Sequence, residues 1–253
     1  MPPLCLHVSI AREAAQLLGS PTLDQNFGGY AFGATLPDIH IIAKLSRTET
    51  HFFDLECEES ASGTQAIFES HPCLARAKEL DGTTRALVAG YLSHLITDEI
   101  WILDIYRPFF GRSSPLGENA MAQMYDKLVQ YELDRREREA RAEMESIRES
   151  ILACQLGEDI ALIGRGALLR WQDFVSSAVL REPNLNLFPY FARMFLLPRM
   201  ELDPDELENF LESIDANLEW VIQYITPARL VAFRREAVSR SVALAREYLH
   251  EGG

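Results

Sequence analysis

The stretch TRALVAGYLSHLITDEIWILDIYRPFF, residues 84–110, is the most apolar of the chain and runs without a glycine-rich break. It is too long for a strand, so it predicts a buried central helix ending near Pro108, around which the rest must pack. Elsewhere the pattern is also helical. Val8, Ala11, Ala15 and Leu18 recur at helical spacing before a Gly19-Ser20-Pro21 stop. Neither proline nor glycine occurs between Glu118 and Leu156, and opposite charges alternate there at three- and four-residue offsets, as on a solvated helix. About 35 helical residues would run roughly 50 Å, so a bend or break is expected. Further helices are expected over 159–180, 187–195, 204–224 and 227–248, with Asp203-Pro204 opening one of them on an N-terminal proline. Almost nothing reads as sheet, and the fold class is all-α. Two segments read otherwise: the glycine- and proline-rich 19–38 as a loop with at most one helical turn, and the acidic 47–63 as irregular or partly helical.

A chain of 253 residues with 47% apolar content buries enough surface to fold without disulfides or a structural metal, so any metal it holds serves function. We read it as a single all-α domain, with 1–110 as the half that carries a site and 111–253 as a helical half without one. The net charge of −14 repels phosphate backbones and anionic lipid, which excludes nucleic acid as a first partner. No transmembrane segment is expected, since the longest run without a charged residue is Gln25 to Pro37. The opening MPPLCLHVSIAREAAQLL reads as a helix, not a signal peptide, and the expected location is cytoplasmic. Cys5, Cys57, Cys73 and Cys154 form no C-x-x-C and fit reduced thiols.

Five of the six histidines, His7, His40, His51, His71 and His94, fall in the first hundred residues together with Asp38 and Asp98. His94 and Asp98 lie one helical turn apart, so an imidazole and a carboxylate share one face of the central helix and can reach one ion. A carboxylate in so apolar a run is costly unless paired or bound to a cation. Taken singly, each candidate has a plainer reading: His94–Asp98 as a packing hydrogen bond, His7 as an ordinary helix residue, Asp38 as a helix N-cap, and His51 as a packing neighbour of two phenylalanines. Glu99 points away from Asp98 around the helix and is better placed to meet Arg47. Glu56, Glu58, Asp54, His40 and His71 are reserve ligands. Trp171, Trp220, Phe188, Tyr190, Phe191 and Phe195 are expected in the core, or else along an apolar channel or homo-oligomer contact.

The ordered set His7, Pro37-Asp38, Thr50-His51-Phe52, Gly90-Tyr91 and His94-x-x-x-Asp98 resembles the zinc-dependent phospholipase C family, whose distant relatives include S1/P1-type nucleases. The resemblance covers about residues 1 to 110, and strings such as GYLSHLITDEIW and RPFFG are similar to those of bacterial members. It implies a multi-helix bundle with a metal site between helices, holding one or two zinc ions. His51, His94 and Asp98 would bind one ion, Asp98 would bridge to a second held by His7, and Asp38 would ligate or take a proton from water. The family's further histidines have no counterpart, since the chain has none between Asp98 and His250. The activity implied is metal-dependent hydrolysis of a phosphoric ester, with a small phosphoester or a phospholipid headgroup as substrate. The competing reading is a non-catalytic helical binding or scaffold protein that keeps a structural or residual metal site. A nucleotide phosphohydrolase of the H…HD…D type ranks last because the chain contains no His-Asp dipeptide.

Overall fold

The structure, a computed structural model, describes residues 3–52, 63–117, 119–157, 159–160, 163–182, 185–198 and 203–250. The described residues are helical apart from connecting turns and one antiparallel pair of two-residue strands. The central helix, Gly82–Trp101, starts where the Asp81 side chain accepts the Thr84 N–H, and most of its length is buried on every side. It continues through a π-helical turn, Ile102–Tyr106, into Arg107–Phe110. The helix thus outlasts the expected stop at Pro108, because the wider turn before the proline absorbs its missing N–H and its ring. By length and composition Gly82–Phe110 could cross a membrane, and the uncharged-run criterion passed over it because charges interrupt it. Even so, 89% of its most apolar window is buried within the protein, as in a core helix.

The expected loop at 19–38 is instead mostly helical, with Pro21–Gln25, Phe27–Gly33 and a short turn at Leu36–Ile39. Three of its glycines, Gly28, Gly29 and Gly33, are contact points between helices. A Cβ on Gly33 would sit 2.0 Å from the Leu87 carbonyl oxygen, and one on Gly90 2.0 Å from the Tyr30 carbonyl oxygen. The Phe27–Gly33 helix and the central helix therefore touch backbone to backbone, an approach that only glycine permits. The central helix also packs against the long terminal helix Pro227–His250, where Ser93 donates to Ser241 at 2.9 Å.

The long charged helix does break, at Ala140, into Ala120–Glu139 and Arg141–Ala153. Residues 159–160 and 163–164 are not helical as expected: Ile160 pairs with Ile163 in two short antiparallel strands, as β-branched residues beside a glycine favour, and the helix starts at Arg165. Downstream, Phe188–Phe191 passes into a π turn, Ala192–Leu196, and the expected 204–224 helix splits at Ser213 into Pro204–Glu212 and Ile214–Ile225. Asp203 caps the first of these by accepting the Asp205 N–H, with Pro204 at its first position. The two halves of the sequence interleave: Trp101 donates to Asp126 at 3.1 Å, Tyr248 to the Leu74 carbonyl at 2.8 Å, and Arg234 pairs with Glu13. Trp171 and Phe188 are buried as expected. Trp220 and Tyr190 are exposed, because Trp220 stacks on the neighbouring Tyr224 at the surface instead of entering the core.

Candidate metal centre

Four elements meet at one point beside the central helix. The first helix, Leu4–Leu18, brings His7; the Leu36–Ile39 turn brings Asp38; the short helix Arg47–His51 brings Arg47 and His51; the central helix brings His94 and Asp98. All five residues expected from the sequence are thus brought together. Three histidines face one carboxylate: Nε2 of His7 lies 3.4 Å from Asp98 Oδ1, and Nε2 of His51 and of His94 each lie 3.4 Å from Asp98 Oδ2. Asp38 joins from outside, with Oδ1 3.6 Å from His51 Nε2. The rings of His7 and His94 stack at 3.8 Å. His7, His51, His94 and Asp98 are buried, whereas Asp38 retains 22% exposure and forms the open side.

The second nitrogens of two histidines are fixed by hydrogen bonds. His94 Nδ1 donates to the Ala34 carbonyl at 2.9 Å, which in a neutral ring leaves the Nε2 lone pair aimed at Asp98. Thr50 donates its hydroxyl proton to the Arg47 carbonyl, so its oxygen receives the His51 Nδ1–H at 3.1 Å, and His51 Nε2 likewise faces inward as an acceptor. Tyr91 donates to the Thr50 carbonyl and fixes the end of that short helix. Phe52, in a left-handed conformation at φ 60°, ends the short helix directly after His51.

An imidazole lone pair facing a carboxylate oxygen is unfavourable unless a proton or a cation lies between them. A charged N–H···O bond would close to about 2.7–2.9 Å, and the spacing here is wider. Zinc bonds of about 2.0–2.1 Å at tetrahedral angles place ligand atoms about 3.4 Å apart, which is the separation seen around Asp98. Moreover His7 Nδ1 and Nε2, His94 Nε2 and Asp98 Oδ1 are buried with no hydrogen-bond partner. The donor set His7, His94, Asp98 and the set Asp38, His51, His94 can each hold a metal ion, and the orphaned inward atoms fit that use.

Electrostatics follow from burial and from the packing of the groups. Burial pushes the His7 imidazole down, helped by its neighbour His94, and pushes His51 down to about 4. Burial would lower His94 as well, but the carboxylates of Asp98 and Asp38 outweigh it and raise the ring above its usual value. Burial also works against ionised Asp98 and Asp38; nearby imidazoles outweigh it and hold both carboxyls well below the usual carboxylate range. The shifts favour neutral His7 and His51 and ionised Asp38 and Asp98, the forms in which such groups can bind a metal.

Comparison of the chain with protein-family models, with curated proteins and with solved structures returns no match. The site is therefore read from its own geometry.

Some expectations need correction. Asp38 is not a helix N-cap: the following helix, His40–Ala43, is preceded by Ile39, and the Asp38 carboxylate faces His51 instead. Arg47 also reaches Asp98 itself, with Nη2 3.4 Å from Oδ2. His40, a reserve ligand in the sequence, packs edge-on against His51 at 5.4 Å and engages the Pro37 carbonyl through Nδ1, so it borders the site. His71 lies against Phe52, outside the cluster. Asp54, Glu56 and Glu58 lie outside the described residues. The orienting roles of Ala34, Thr50 and Tyr91 were missed, although Thr50 and Tyr91 belong to the motif set itself.

Proposed function

We propose that this chain is a metal-dependent phosphoric ester hydrolase, phospholipase C-like in its site, with zinc held by His7, Asp38, His51, His94 and Asp98. The observation that carries the reading is the set of inward-facing, buried imidazole nitrogens spaced at 3.4 Å around Asp98, with one side open at Asp38. Zinc bound there would supply Lewis-acid polarisation of a phosphoryl oxygen and activation of water. The protein's own contribution is to orient the ligands through Ala34 and Thr50, to exclude water from the buried side, and to leave Asp38 at the mouth. The imidazoles that hold the Asp38 carboxyl low make it a weak proton acceptor, so we assign it first as a ligand. A strongly acidic chain favours a small phosphoester, or a headgroup without excess negative charge, over a polyanion.

One observation favours a non-catalytic alternative: the Arg47 guanidinium and a protonated His94 are placed to neutralise Asp98 without any metal. The two readings separate by metal content. We expect zinc to co-purify with the wild-type chain prepared without chelator or metal-affinity tag, to be lost in His94→Ala, and to accompany hydrolysis of phosphomonoesters or phosphodiesters, including short-chain phosphatidylcholine. A folded wild-type protein that holds no zinc after zinc is added back overturns the proposal in favour of a structural polar cluster.

A further inference from the structure

The terminal helix, Pro227–His250, packs against the central helix and also along the first helix, Leu4–Leu18. Beside the second of these contacts runs a groove of about 510 Å³, a size within the roughly 300–1,000 Å³ of ligand sites. None of the five candidate metal ligands lines it. Its floor is apolar: Val238 is buried and Val242 half-buried, while Val231 at 69% exposure and Leu17 at 65% stand at the rim. Those two are among the three most exposed large apolar side chains of the described residues. They line one groove instead of lying scattered, which is what marks an interaction surface.

Sequence spacing puts charge on the same strip. Val231, Arg235, Val238, Val242 and Arg246 follow one another at four- and three-residue steps and so share one face of the helix. Arg246 lies eleven residues beyond Arg235, about 16 Å along the axis. Arg234, which also lines the groove, is held by Glu13 at 3.1 Å and by Glu137. Among the described residues, nothing pairs with Arg235 or Arg246. Glu236 and Glu247 each come one position later and so lie about 100° further round the helix. The groove is thus locally positive on a chain of net charge −14, a complementarity that selects an acidic occupant.

The placement of the two charges decides which acidic occupant fits. A fatty carboxylate would satisfy one guanidinium and leave its apolar tail against the other. Two anions about 16 Å apart with apolar groups between them satisfy both, and a helix with acidic residues eleven positions apart carries its charges at that distance. We propose that the groove between the first and terminal helices is the docking site of an acidic amphipathic helix from a partner protein. Two carboxylates of that helix pair with Arg235 and Arg246, and its apolar face covers Leu17, Val231 and Val242.

The test is fluorescence anisotropy of a labelled helical peptide that carries glutamates eleven residues apart, with leucines four and seven residues after the first. A second peptide has lysines in place of the glutamates. The proteins are the full-length wild type, the double variant Arg235→Glu/Arg246→Glu, and Leu17→Ser, all changed at exposed positions; circular dichroism confirms that each is folded. Wild type is expected to bind the glutamate peptide at about 100 μM or tighter at low salt. The double variant should bind it at least tenfold more weakly and Leu17→Ser at least threefold more weakly. The double variant should in turn prefer the lysine peptide, an exchange that damage to the fold would not produce. No binding of the glutamate peptide to wild type, equal binding of the two peptides, or unchanged affinity in the double variant overturns the proposal. Binding of dodecanoate without binding of the peptide gives the groove to a fatty anion and overturns it too. So does a wild-type dimer in sedimentation that the double variant abolishes, which gives the groove to a second copy of the chain. None of these readouts involves zinc, so the metal centre stands or falls separately.

Discussion

Replacing Gly90 by alanine tests fold and site in one step. The added Cβ would lie 2.0 Å from the Tyr30 carbonyl oxygen and would also crowd the Ala34 backbone nitrogen at 2.8 Å, where ordinary contact begins near 3.4 Å. Both obstacles are backbone, so neither can swing aside, and relief requires the Phe27–Gly33 helix and its C-terminal end to move away by about 1.4 Å. Overpacking of a tight interior typically costs about 1–3 kcal/mol, and a rigid backbone contact belongs at the upper end, about 3 kcal/mol. For a chain of this length each kcal/mol lowers Tm by about 2–4 °C, so a drop of about 6–12 °C is expected. The same displacement carries off the Ala34 carbonyl, which accepts from His94 Nδ1 at 2.9 Å; an opening of this size stretches that bond past any useful length. Loss of such an orienting partner costs about 10–100-fold in metal affinity. The assays are thermal unfolding of the metal-depleted proteins and zinc competition on the folded ones. A Gly90→Ala protein that melts within about 2 °C of wild type and binds zinc equally well would refute the idea that this contact sets the position of His94.

Three further outcomes follow from the same geometry. Asp38→Asn keeps an oxygen donor but loses its charge, and zinc affinity should fall about tenfold or more; unchanged affinity with lost turnover would return Asp38 to the role of proton acceptor. Because burial is outweighed at His94 by Asp98 and Asp38 and the ring's pKa is raised, zinc must displace a proton there, so apparent affinity should rise about tenfold per pH unit below that pKa and level off above it. Affinity that does not change between about pH 5.5 and 7 would exclude His94 as the displaced group. Cys5 is buried with its thiol pushed well above the usual range by burial and by Asp134, whereas Cys73 is exposed; iodoacetamide followed by peptide mapping should label Cys73 in the folded protein and Cys5 only after unfolding.

The helices with strong periodicity or an unbroken apolar run were legible in the sequence, as were all five candidate ligands. The latter was so because His94 and Asp98 are one turn apart on a helix whose burial the composition already implied. Segment 19–38 was misread for a physical reason. Glycine loosens an isolated chain, but at Gly33 and Gly90 it allows backbones to meet, and only the partner helix distinguishes the two uses. Arg47 was missed in a similar way. Its sequence neighbourhood is polar and acidic, and nothing local shows that a capped single turn would carry its guanidinium to a carboxylate 51 positions away.

The cost of the cluster explains why the two kinds of misreading are linked. Asp98 and His94 sit fully buried on a helix whose most apolar window is itself 89% buried, and a polar group there without a partner is among the more destabilising features a core can hold. The close contact through Gly33 and Gly90 is what brings the Ala34 carbonyl to His94 and so fixes that ring's donor side away from Asp98. Once Nδ1 is committed outward, Nε2 can meet Asp98 favourably only through a proton or a cation. The raised pKa of His94 and the 3.4 Å spacing are two expressions of that single constraint. A fold that uses a backbone-to-backbone helix contact to orient one imidazole toward a buried carboxylate calls for a proton or a cation between them.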